Sequence, residues 1–160
     1  MTSKDLLKNL FDFNHMVMTT YLSDLADADL LVRPLPNANH AAWQLGHLIS
    51  SEASMLRSLG SKAELPAGFE EQHSSKNASS DTGFLGKQAY LDLYGKVRQA
   101  SLAALAATPE TDYDKPNPHA ATLKIAPTIG ALLQLTANHE MMHAGQVAMV
   151  RRKLGKPILI

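Results

Sequence analysis

Two histidines four residues apart, His139 and His143, lie in a long segment of helical apolar period, within His139-Glu140-Met141-Met142-His143-Ala144-Gly145-Gln146. On an α-helix that spacing puts both imidazoles on one face, one turn apart. Two ring nitrogens held this way can reach one divalent ion, because a Zn–N bond is only ~2.0–2.1 Å long. The letters also spell HExxH, the pattern of a zinc protease with Glu140 as general base. The tail of the chain argues against that chemistry. From Ala144 to Ile160 there is no His, Asp, Glu or Cys to act as third ligand, and Gln146 and Met149 stand where the metzincin extension needs Gly and His. A third ligand must come from upstream.

The upstream imidazoles are His15, His40, His47, His73 and His119. His47 is the strongest candidate. It lies in Asn39-His40-Ala41-Ala42-Trp43-Gln44-Leu45-Gly46-His47-Leu48-Ile49-Ser50, the opening of a second helical segment. In helical projection it shares a face with Trp43, Ser51 and Ser54. Small hydroxyl side chains leave room for a ligand, and a Trp one turn away screens it from water. His40 sits close to the helix start and is expected to be exposed. His73, among Ser, Lys and Asn, and His119, between Pro118 and Ala120, read as solvated loop residues. His15 is a reserve candidate on the first helix.

These residues carry a resemblance to a known family. Trp43-Gln44-Leu45-Gly46-His47-Leu48 on the second helix, with His139, His143, Gly145 and Gln146 on the fourth, is similar to the DinB/YfiT-like superfamily of metal-binding four-helix bundles. The resemblance implies that His47, His139 and His143 bind one divalent metal, with Zn²⁺, Ni²⁺ and Fe²⁺ all admissible. Relatives usually carry Arg, His or another polar residue where Ala144 stands, a departure that leaves the ligands alone and alters the pocket rim. The resemblance extends to thiol-dependent enzymes: bacillithiol S-transferases, mycothiol-dependent isomerases and the metal-binding domain of ergothioneine-forming enzymes. It extends equally to members with no known activity.

Four helical segments must position these rings. Apolar spacing predicts a first helix over about 5–25 and a second over about 41–59, with Asn39 as N-cap and Gly60 as its stop. A third covers about 85–107, and a fourth about 128–154, ending in Arg151, Arg152 and Lys153, cations that suit the negative end of a helix dipole. The inner face of the last projects as Leu132, Thr136, His139, His143, Gln146 and Val150. The expected fold is all-α, a single four-helix bundle over residues 1–160. A link around Asn37 makes the first two helices antiparallel neighbours. The long polar link from Gly60 to Gly83 favours an up-down-down-up order, since it can cross a helix length of ~30 Å between parallel neighbours. A disordered insert on an up-down-up-down bundle is the other option. The link from Thr108 to Pro127, with four prolines, reads as an ordered cover.

Composition bounds the rest. The chain has 160 residues, 45% of them hydrophobic, enough for a core rather than disorder. A formal net charge of +0 offers no basic footprint for nucleic acid, and no apolar run is long enough to span a membrane. The first residues lead into an amphipathic pattern rather than a signal core, so a cytoplasmic protein is expected. With Cys 0, a metal must use His, carboxylate and water, and any thiol chemistry needs a thiol from outside. The expected function is a metal-dependent, thiol-using S-transferase or related enzyme acting on a small molecule, as a homodimer. The alternatives are a metal-binding stress-response protein without turnover, a purely structural bundle that dimerises, and a hydrolase using Glu140. No catalytic residue is assigned. Glu140 reads as a surface or rim acid, Tyr90 and Tyr94 as core, and the methionines as adaptable core filler. Trp43, Ser51, Gln146, Asn14, His15 and Tyr90 are the expected pocket residues.

Overall fold

The computed structural model describes residues 1–160 and is all-helical. The principal helices are α1 (Ser3–Leu22), α2 (Ala41–Ser58), α4 (Lys87–Ala107) and α5 (Ile129–Lys153), with a one-turn helix α3 (Phe69–Gln72) between α2 and α4. Side chains close the helix starts. Thr2 and Asp5 form a reciprocal capping box on α1, and the Thr128 hydroxyl accepts from Ala131 N–H on α5. The α2 start differs from expectation. His40, not Asn39, is the N-cap: its Nδ1 accepts from Trp43 N–H at 3.1 Å. Because Nδ1 accepts, Nε2 carries the proton and donates to the Ser80 carbonyl at 3.0 Å. The ring therefore ties the helix start to the α2–α4 crossover and is buried, where exposure was expected.

Cross-helix contacts fix the senses. Asn14 donates to Ala137 O and Arg151 to Tyr21 O, so α1 and α5 rise together. Gln44 meets His143 and Met55 meets Thr136, so α2 opposes α5. Lys4 reaches Ala106 O while Lys87 reaches Leu22 O, so α4 opposes α1. With α1 taken as up, α2 and α4 run down and α5 runs up. Around the bundle each helix touches the next in the order α1, α5, α2, α4. Thus α1 and α2 are antiparallel but diagonal, not neighbours. The connection between them carries a 3₁₀ turn at Ala28–Leu31 and reaches across the bundle end. No helix is long and apolar enough to cross a membrane.

The main core runs along all four long helices, through Met18, Leu22, Leu45, Leu48, Ile49, Tyr90, Tyr94 and Val147. A smaller cluster of Phe11, Leu105, Leu133 and Ala137 closes one end. Two polar side chains lie inside. Arg151, read as a helix-end cation, is fully buried and donates to Tyr21 O, Asp24 and Pro157 O. His73, read as a solvated loop residue, is 2% exposed. Its Nδ1–H donates to Phe69 O at 2.7 Å and its Nε2 accepts from the Tyr90 hydroxyl at 2.7 Å. Burial pushes the Tyr90 phenol up to about 12, so it stays a donor. The His73 ring packs against α2 at Gly46, where a Cβ would come within 1.9 Å of it. A glycine inside a helix costs about 1 kcal/mol relative to alanine; here it lets the crossover seat against α2.

Candidate metal centre

His47 on α2 and His139 and His143 on α5 converge where the two antiparallel helices pack. One ring nitrogen from each lies within 4.8 Å of the others. The Nε2 atoms of His139 and His143 are 3.1 Å apart. Two bonds of ~2.05 Å meeting at a tetrahedral angle would place their nitrogens ~3.3 Å apart, so this spacing matches two ligands of one ion. The His47 ring stacks on Trp43, with centroids 4.9 Å apart and planes at 5°. Trp43 is itself held by donating Nε1–H to Ser74 O at 3.1 Å. Trp43 thus links His47 to the crossover.

The protonation states suit a metal. Burial, reinforced by the neighbouring His47, lowers His139 to about 4; burial, then His139 and His47, lowers His143 to about 3. Burial also lowers His47. Two of the three rings are therefore neutral at neutral pH by a wide margin, which is the form that coordinates. Gln44 sets the orientation of His143. Its amide donates to Asn39 O at 2.8 Å, which turns Oε1 toward His143 Nδ1 at 3.4 Å. His143 then donates from Nδ1 and presents the Nε2 lone pair to the cluster, the usual arrangement behind a ligating histidine. Gln44, 2% exposed, was not singled out in sequence; a polar residue on the otherwise apolar start of α2, one turn from His47, was the available signal. Three neutral imidazoles from two rigid helices, one with an oriented partner, can hold a divalent ion.

The rings stand at the wall of a cavity of about 450 Å³ that includes His47 and His139. Its other walls are rich in hydroxyls: Ser50, Ser51 and Ser54 from α2, Ser74 from the crossover and Thr122 from the cover. The Ser50 and Ser74 hydroxyls are buried without a partner. His119, expected as a solvated loop residue, is half-buried on this wall, with Nε2 at 3.1 Å from Ser54 Oγ.

The remaining expectations divide. Ser51 and Trp43 stand at or beside the cluster. Tyr90 and Asn14 are buried at some remove, Tyr90 against His73 and Asn14 against Ala137 O. His15 packs on Tyr94 with its Nδ1 3.7 Å from Glu140, away from the three rings. Gln146, projected onto the inner face, is exposed and lines a smaller cleft with Gln44 and Met149, yet its side chain also hydrogen-bonds His143, which opposes the lowering by burial.

Glu140 is neither surface nor rim. It is 0% exposed and bonds Arg98 of α4, whose other nitrogen is 3.4 Å from Glu52 of α2. Ser101 donates to Glu52 as well. Burial, with Glu52 adding to it, pushes Glu140 up to about 9; burial raises Glu52 too, against the pull of Arg98. One guanidinium cannot offset two buried carboxylates, so the pair retains a proton at neutral pH. Glu140 faces this cluster, and the cavity wall does not include it. A general base must be within hydrogen-bond reach of the proton it takes, and Glu140 is committed elsewhere.

The fold and the cluster define an all-helical bundle with a three-histidine site that can hold a metal ion. The chain belongs to the DinB superfamily, whose pattern matches residues 10–147. A solved structure, described as that of a conserved protein from Enterococcus faecalis, shares the fold with a TM-score of 0.68 at 18% identity, covering 98% of this chain and 99% of the other. No curated protein matches the sequence.

Proposed function

We propose that this chain is a divalent-metal-dependent enzyme with His47, His139 and His143 as ligands, which brings an external low-molecular-weight thiol to a small electrophile, as an S-transferase or a close relative of one. The observation that carries this reading is the convergence of three neutral imidazoles, two of which, His47 and His139, line a cavity of about 450 Å³, a volume suited to a small molecule. Three protein ligands with room beside them is the pattern of a catalytic rather than a structural centre. A divalent ion held there supplies a Lewis acid that lowers the pKa of a thiol and polarises an electrophile. With Cys 0 in the chain, the sulfur has to arrive with a substrate.

The chain's own residues supply the frame. Trp43 and His73 keep the crossover seated over α2, which shields one side of the site from water. Gln44 holds the His143 tautomer. Ser50, Ser51 and Ser54 offer hydrogen bonds to a polar ligand body along one helix face. The hydrolase alternative lacks its base, because Glu140 is held by Arg98.

Elemental analysis of the purified protein, followed by a thiol-consumption screen over small electrophiles with and without metal, tests the proposal. Stoichiometric Zn²⁺, Ni²⁺ or Fe²⁺ and metal-dependent thiol loss are expected. Bound metal with no thiol loss across the screen would leave a metal-binding protein without turnover. Absence of metal after reconstitution would reject both.

A further inference from the structure

The cavity has two ends. One is the three-histidine cluster. The other is His119, carried by the cover between α4 and α5. Ser54, its partner, lies two turns along α2 from His47, about 10 Å along the axis at 1.5 Å per residue. The histidine at this distal end is unusually well held. The buried Asn117 accepts from His119 N–H at 2.8 Å, and donates to Ala126 O at 2.7 Å and to Thr122 Oγ1 at 2.9 Å. The same stretch is clamped to the start of α5 by Asn117 N–H to Pro127 O and Ile129 N–H to Lys115 O, both 3.0 Å.

The bonds also assign the ring's roles. Thr122 has one hydroxyl proton and two acceptors in reach, the His119 carbonyl at 3.2 Å and His119 Nδ1 at 3.1 Å, and we assign the proton to the carbonyl. It therefore accepts from His119 Nδ1–H at 3.1 Å. That leaves His119 Nε2 as an acceptor, taking the Ser54 hydroxyl proton at 3.1 Å. An acceptor fixed before a ligand arrives, facing a cavity and occupied only by a serine hydroxyl, can exchange that partner for a ligand donor at little ordering cost.

We infer that His119 is a specificity-determining residue: its Nε2 accepts a hydrogen bond from a hydroxyl or N–H group about 10 Å from the metal-binding end of an elongated ligand, in place of Ser54. The inference rests on the three-histidine cluster acting as a metal centre that takes a thiol. It selects ligands by length and by a donor at the far end, so a short or donor-free thiol binds only at the metal.

Cobalt-loaded protein tests this, since thiol binding changes the Co²⁺ absorption and reports affinity without turnover. Mercaptohexanol is compared with hexanethiol, and mercaptopropanol with propanethiol. The expected result is a preference of about two- to tenfold for mercaptohexanol over hexanethiol, the range of one net hydrogen bond, and none within the short pair. His119→Ala should abolish that preference. Ser54→Ala should keep or increase it, because the competing hydroxyl is gone. If the pair merely ties the cover to α2, both variants lose thermal stability while the affinity ratio stays put, and the inference fails. Equal affinities for the long pair in the wild type overturn it as well, with the thiol-binding centre intact. No cobalt response to any thiol would instead overturn the thiol reading of the centre, and this inference with it.

Discussion

Replacing Gly46 with alanine adds one methyl group where the structure has none to spare. The new Cβ would sit 1.9 Å from His73 Cδ2 and 2.2 Å from Cγ and Nε2. The ring cannot slide aside freely: Phe69 O and the Tyr90 hydroxyl hold its two nitrogens at 2.7 Å, and the Phe69 and Phe84 rings pack against it with centroids 4.3 and 5.6 Å away. To reach ordinary contact the ring must move by more than an ångström, which breaks both bonds. Overpacking typically costs ~1–3 kcal/mol, and a buried donor left unpaired, here the Tyr90 hydroxyl, another ~1–3. Helix propensity returns ~1 kcal/mol. The net expectation is a loss of about 1–5 kcal/mol in urea unfolding, with an unchanged m-value. The sign should reverse in a His73→Ala background, where the space is empty and Gly46→Ala keeps only its helical gain. If Gly46→Ala stabilises the wild-type protein, or if the effect is the same in both backgrounds, the seating of the crossover on α2 is wrong.

Other outcomes follow from the same geometry. Arg98→Ala leaves two buried carboxyls without a cation and should cost about 3–5 kcal/mol, whereas Glu140→Gln, which mimics the protonated acid, should keep the fold, the metal content and most of any activity; a loss of two or more decades in rate would revive Glu140 as a base. Chelation should lower the thermal midpoint without unfolding the protein at neutral pH, because the helices have their own core and metal adds stability only by mass action; complete unfolding by a chelator would contradict this. Protons compete for the folded rings only near their folded pKa values, about 4 for His139 and about 3 for His143. With both values depressed, and His47 lowered too, metal affinity should hold below the free-imidazole value and fall as pH drops further through the folded values. A steep loss of affinity near ~6.5, the value of a free imidazole, would show that the rings are not buried as described.

What could be foreseen follows from periodicity, and what could not follows from tertiary contact. The long helices and the shared face of His139 and His143 are written in i,i+3,i+4 spacing, so they were legible. His40, His73 and His119 lie in connections, where no period marks the buried side. His73 is drawn inside by a glycine on another element, and His119 is fixed by an asparagine two residues earlier. Glu140 was misplaced for a different reason. A rotation of ~100° from the histidines should reach the surface on a helix with one buried stripe, but α5 packs on α1 and α2 together and its buried face is wide. Glu52 and Arg98, each within an apolar helical stripe, were the sequence signal that a buried charge cluster awaited a third member. The diagonal placement of α1 and α2 left no local trace.

The account stands on three rings meeting at one ion. X-ray absorption at the metal edge of reconstituted protein, run beside His47→Ala, His139→Ala and His143→Ala, measures that directly. The account predicts one bound ion with three imidazole nitrogens at ~2.0–2.2 Å, and loss of metal or of one imidazole shell in each variant. Full metal content with an unaltered coordination shell in His139→Ala would contradict it.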